Sequence, residues 1–218
     1  MARGLEHALP QMADYTCPIT AAQGDTVRYT PVEREELIAT LATRFAKRAW
    51  QRDFDRFGDL ARSVAENVLR QLLQPGISTA VRHMVMEMIN AAEVEPLFPD
   101  LLKVAFDSSA ESVLRTSAAT ILASRAPTDY AAKLYPLLNL PADQDKDDEI
   151  SGTLLYHLYP QHLTTAQALC ALHVPHNRSF TGLYRYFWNH DFLERKQPSR
   201  AEYSGPRFQD SGLSCVLS

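Results

Sequence analysis

The chain has 218 residues, 45% of them hydrophobic and 22% charged, proportions that suit a folded protein and exclude global disorder. A formal net charge of −4 leaves no basic footprint for nucleic acid, and no apolar run approaches the ~20 residues that span a bilayer. Only 8 glycines, with no strand-length alternation of apolar and polar residues, point to an all-α class.

Residues 1–29 carry Pro10 and Pro18 without a sustained period and read as a loose leader; Met1 to Thr20 contain no continuous apolar signal segment. Thr30-Pro31 then opens a helix. Thr30 can cap it, Pro31 fits the first turn, and Glu33, Glu35 and Glu36 suit the positive end of the helix dipole. Leu37, Ile38, Leu41, Ala42 and Phe45 form its apolar stripe. Arg44 to Arg56 alternate basic with acidic side chains (Asp53, Asp55), as on a solvated helix face.

A second helix over roughly 54–73 ends at Gln74-Pro75-Gly76, and a third over 78–92 carries Val81, Met84, Val85, Met88 and Ile89 on one side. Shorter helices are expected near 96–106, 110–125, 128–138, 147–159, 164–172 and 180–195, separated by breaks such as Ala126-Pro127 and Tyr159-Pro160. Val85 and Leu101 are expected to face the core. The stretch 196–218 loses the period and reads as an irregular tail.

A shift of 33 residues lays Val81 on Leu114, Arg82 on Arg115, Val85 on Ala118 and Ile89 on Leu122, and a shift of 37 lays Ala118 on Leu155. Two helices per period in the thirties is the mark of an α-solenoid, in which each pair must stack on its neighbours to bury an apolar face. The expectation is a helical-repeat domain over 30–195, the alternative an irregular helical bundle.

Within the period, Asp107 followed by Arg115 resembles the Asp and Arg that join successive pairs in HEAT repeats. More narrowly, 94–195 is similar to the helical-repeat region of bacterial NACHT-type STAND nucleotidases. The likeness rests on Val94–Asp107, Arg115–Leu122, the acidic lead Asp145–Glu149 into Gly152-Thr-Leu-Leu, Leu158-Tyr-Pro-Gln-His-Leu-Thr, and Ser179-Phe-Thr-Gly-Leu-Tyr-Arg-Tyr-Phe. It implies a sensing or scaffolding segment of an antiphage or signalling protein. The chain has no Gly-x-x-x-x-Gly-Lys-Ser/Thr loop, so the likeness does not carry nucleotide hydrolysis.

Three constellations bear on chemistry. Cys170, His173 and His176 are spaced by three, but a zinc site wants four convergent donors, and Val174-Pro175 breaks the helix before His176. Cys170 lies in an apolar run and is expected to be a buried, inert thiol. Three cysteines far apart (Cys17, Cys170, Cys215) suit unpaired thiols in a reducing, cytoplasmic setting. Asp143 to Glu149 starts like a calcium loop but has Asp148 where Gly is required and Leu154 where Glu is required, so it reads as a solvated acidic loop. Phe180, Tyr184 and Phe187 fall on one face of the last helix, with Ala168, Leu169 and Leu172 as the surface to pack on. Arg185, Tyr186 and Trp188 then form the candidate interaction surface.

No catalytic, metal or cofactor residue is assigned. The expected function is a non-catalytic helical-repeat scaffold or sensor segment that binds a protein partner, or missing repeats of a longer chain, without nucleic acid or membrane. The alternative is a small helical enzyme or metal-binding protein using Cys170, His173 and His176.

Overall fold

The computed structural model of the protein describes residues 30–45, 61, 62, 64 and 66–192. The leader, the tail, the Arg44–Arg56 face and the first half of the second predicted helix fall largely or wholly outside these. The described residues are helical, with no strand among them. The boundary between two compact units falls between Leu101 and Leu102.

In the first unit, α1 (Pro31–Phe45) starts as its sequence dictates. Glu33 N–H donates to Thr30 Oγ1 (3.4 Å), and Glu33 Oε2 accepts from Thr30 N–H (2.7 Å), a reciprocal capping box. These hydrogen bonds favour the ionised carboxylate and hold Glu33 below its ordinary 4.5. Leu37, Ile38, Leu41 and Ala42 are buried.

α2 (Glu66–Leu72) stops before the turn at Gly76, whose φ of 94° is in the region open to glycine. α3 (Thr79–Ala92) packs against both α1 and α2. Its predicted stripe is buried throughout, and so are Arg82, His83 and Met86, which makes it the central helix of the unit. Each fully buried Met or Ile contributes ~1.5–3 kcal/mol relative to exposure. Glu93, in the left-handed conformation (φ 54°), ends α3, and a 3-10 turn (Glu95–Leu97) leads into α4 (Phe98–Phe106). Val85 and Leu101 are both 0% exposed, as their spacing predicts.

The second unit takes the end of α4, then α5 (Ser112–Arg125) and α6 (Thr128–Leu134), which tightens into a 3-10 turn (Tyr135–Asn139). Next come α7 (Glu149–Leu158), α8 (Thr165–Ala171) and α9 (Leu183–Tyr186), the last passing into a π turn over Phe187–Asp191. Over its described part, 180–192, the helix expected at 180–195 is thus a short α segment and a π turn. α7 is buried almost all round and packs against α5, the Tyr135–Asn139 turn and α9.

Arg82 and Arg115, equivalent under the 33-residue shift, occupy matching positions in their own units. Arg82 Nε donates to the carbonyl of Leu73 (3.0 Å), nine residues upstream, and Arg115 Nε to that of Ala105 (3.2 Å), ten upstream. Each arginine, 7% and 3% exposed as a residue, supplies a donor to a carbonyl at the end of an earlier helix, where the helix itself supplies none. Arg115 Nη1 also donates to Gln144 O (2.7 Å). Arg115, expected near Asp107 or an acid of the adjacent repeat, spends two donors on backbone, and Asp107 Oδ1 accepts from Ser109 N–H and Oγ–H in its own turn.

Candidate functional site

The turn before α7 is an acidic segment that the fold turns inward. Asp145 and Asp148 are 1% and 2% exposed, against the expectation of a solvated loop. The reason is a division of labour. Asp145 caps the helix: Oδ1 accepts from Ile150 N–H (3.2 Å), and Oδ2 from Ser151 N–H and Oγ–H (2.9 Å each). Asp148 precedes the helix in the left-handed conformation (φ 55°, ψ 28°), which Asp tolerates better than most residues. Its carboxylate points away from α7. Burial, with Asp147 and Asp145 nearby, pushes Glu149 above the usual carboxylate range.

What Asp148 reaches is the loop after α8. His173 Nε2 lies 3.0 Å and His176 Nδ1 2.7 Å from Asp148 Oδ1, while His176 N–H donates to Oδ2 (2.8 Å). His173 Nδ1 faces the Ala171 carbonyl (3.2 Å), and His176 Nδ1 also lies 3.1 Å from the Asp145 carbonyl. The imidazoles stack with centroids 4.6 Å apart, and Asn177 Nδ2 donates to Asp147 Oδ1 (2.6 Å). One imidazole nitrogen from each histidine and one carboxylate oxygen lie within 4.8 Å of one another.

α9 closes the far side. The Tyr184 hydroxyl accepts from His173 N–H (2.6 Å) and donates to His173 O (2.8 Å), and its ring lies 4.9 Å from the His173 ring. Burial pushes the phenol up to about 12. Gly152 makes the approach possible, since a Cβ there would sit 2.3 Å from Tyr184 N. α9 therefore packs chiefly on α7; of the predicted Ala168-Leu169-Leu172 surface, Ala168 is buried and Leu169 is 53% exposed.

His173 and His176 thus converge, and Cys170 does not complete the set. It is exposed and disulfide-bonded, which corrects both the buried thiol and the unpaired state expected for it. The third donor is Asp148, 25 residues upstream of His173. Helical spacing pointed to Cys170, but α8 ends at Ala171 and His173 lies beyond it. The available signal was the acidic run Asp143–Glu149 followed by two histidines flanking Pro175.

On the outer face of α9, Tyr186 and Trp188 are 50% and 47% exposed, while Tyr184 and Phe187 on the inner face are buried. Phe187 meets Tyr159 edge-on at 5.7 Å. Arg185 donates to the Arg178 carbonyl, and with Pro175, Trp188 and Asn189 it lines a hollow beside the histidine loop. No helix among the described residues is long and apolar enough to cross a membrane. Compared with family models, with curated proteins and with solved structures, the chain matches none.

Proposed function

We propose that the chain is a non-catalytic helical-repeat scaffold that binds a protein partner, or further repeats of a longer chain, through the outer face of α9. The observation that carries this reading is the division of the aromatic residues there. Tyr184 and Phe187 anchor the segment, and Tyr186 and Trp188 stand half-exposed on either side of Phe187. Aromatic and arginine side chains of this kind dominate binding energy at protein interfaces. The matched Arg82 and Arg115 bonds support a HEAT-like pairing of helices. A place in a STAND-type defence or signalling protein belongs to the same reading and rests on the sequence likeness alone.

The test is affinity capture from the native cell with the wild-type chain and with Tyr186→Ala/Trp188→Ala. The double variant should keep its far-UV circular dichroism and thermal midpoint and lose the captured partner. An unchanged set of captured proteins removes the aromatic face as the interface and the reading with it. Sequencing the neighbouring DNA for an in-frame nucleotide-binding module tests the family assignment separately.

A further inference from the structure

We infer that Asp148, His173 and His176 form a binding site for one divalent transition-metal cation, a property independent of the scaffold reading. The hydrogen-bonding capacity of His173 does not match its surroundings. Its Nδ1 faces the Ala171 carbonyl and its Nε2 faces Asp148 Oδ1, so both ring nitrogens meet oxygen acceptors. A neutral imidazole carries one N–H and one lone pair. With the proton on Nε2 the ring donates to Asp148 Oδ1 and its Nδ1 lone pair faces the Ala171 carbonyl; with the proton on Nδ1 the Nε2 lone pair faces the carboxylate at 3.0 Å. In either neutral tautomer one lone pair meets an oxygen that a cation would satisfy. Either a second proton or a metal ion meets that need.

Three further observations favour the metal. The first is convergence. His176 Nδ1 comes to 2.7 Å from the same Oδ1, so one carboxylate oxygen is shared by two ring nitrogens and all three atoms lie within 4.8 Å of one another. Donors about 2.0–2.1 Å from a tetrahedral metal stand roughly 3.3 Å apart, so these two edges need to open by roughly 0.3 Å and 0.6 Å. The second is the outer hydrogen bonding: a metal-bound histidine usually donates its other N–H to a carbonyl or carboxylate, and the Ala171 carbonyl stands 3.2 Å from His173 Nδ1 to accept it in that tautomer. Tyr184 fixes the same residue from the other side through its backbone N–H and carbonyl. The third is charge. Asp145, Asp147 and Glu149 outnumber Lys146 in the turn that carries Asp148, and a net-negative turn favours a bound cation.

Two imidazoles and one carboxylate are borderline donors, which select zinc and its first-row neighbours over magnesium or calcium. The His173 and His176 side chains keep 27% and 22% of their surface, so the outward side of the ion is open to exchangeable ligands. When the cation enters, the His176 proton moves from Nδ1 to Nε2, and any second proton on His173 Nε2 leaves to solvent. No bond other than these coordination bonds is made or broken.

The experiment is titration of the full chain, stripped with a chelator, with Zn²⁺ by calorimetry and with Co²⁺ by visible absorption. One equivalent should bind, with the weak d–d bands of a nitrogen–oxygen site and no thiolate charge-transfer band, and Zn²⁺ should raise the thermal midpoint. Asp148→Asn, which keeps the shape and tolerance of the left-handed backbone, and His176→Gln should each weaken binding by more than about tenfold. Circular dichroism without metal checks that both are folded. If Asp148→Asn does not fold, the His176→Gln titration and the wild-type Co²⁺ spectrum decide. Wild type binding no stoichiometric Zn²⁺ would show that the cluster is a protonated carboxylate–histidine clamp, and the metal site is then refuted. Binding unchanged in the variants, or a thiolate band, would place the ion elsewhere and refute it equally.

Discussion

Arg115 carries two backbone carbonyls on one guanidinium while only 3% exposed, so its replacement leaves Ala105 O and Gln144 O without their donor. Arg115→Met should keep the packing of the side-chain stem and still lower stability by roughly 2–4 kcal/mol, read by urea unfolding. Arg115→Lys should recover only part, since one ammonium cannot address both carbonyls in the fork geometry. At His83 the governing force is desolvation. Burial holds the imidazole below its ordinary 6.5, so the folded chain takes up a proton less readily than the unfolded one. Its contribution to stability is complete above 6.5 and is lost as pH falls through the lower folded value. The Glu87 carboxylate, 3.8 Å away, is too distant a partner to reverse that sign. Urea midpoints should therefore drop between about pH 7 and pH 5, and His83→Gln should flatten that limb. His162, lowered by the same cause, contributes in the same direction.

Between elements, α7 and α9 approach each other closely at Gly152. Gly152→Ala places a Cβ 2.3 Å from Tyr184 N and 2.7 Å from its Cα, both backbone atoms that cannot swing aside. A loss of ~1–3 kcal/mol or more is expected, with Trp emission shifted as α9 moves. Tyr184→Phe keeps the buried ring and removes the two bonds to the His173 backbone, costing ~1–2 kcal/mol. The phenol supplies a second readout. Its folded value is raised to about 12 from an ordinary 10.0, so the folded chain holds the proton longer, and stability falls as pH rises from 10.0 towards 12. Ultraviolet titration should show one late tyrosine that Tyr184→Phe abolishes.

Across the whole molecule, what the sequence disclosed and what it withheld separate by range. The α1 cap, the α3 stripe, the Pro and Gly breaks and the buried Tyr184–Phe187 face depend on neighbours within about two helical turns, and periodicity exposes them. The inward turn of Asp145 and Asp148 depends on a left-handed residue and on a loop that returns from beyond α8. Neither leaves a periodic trace. Cys170 misled for a related reason: its surroundings are apolar by composition, yet α8 is seven residues long and buries only the side bearing Ala168 and Ala171.

The two acids before α7 also fix an order of assembly. Asp145 finds its partners five and six residues ahead, a closure that costs little chain entropy, so the turn and the start of α7 are expected to pair early. Asp148 and Asp147 wait for partners 25 to 30 residues downstream, which arrive only after α7 and α8 have brought the chain back. The histidine loop is therefore the late step, docking onto a receptor already built. In stopped-flow kinetics Ser151→Ala, which strips a local bond from Asp145, should slow folding. Asn177→Ala, which removes a late one, should leave the folding rate nearly unchanged and speed unfolding. The reverse pattern would mean that the loop nucleates the turn.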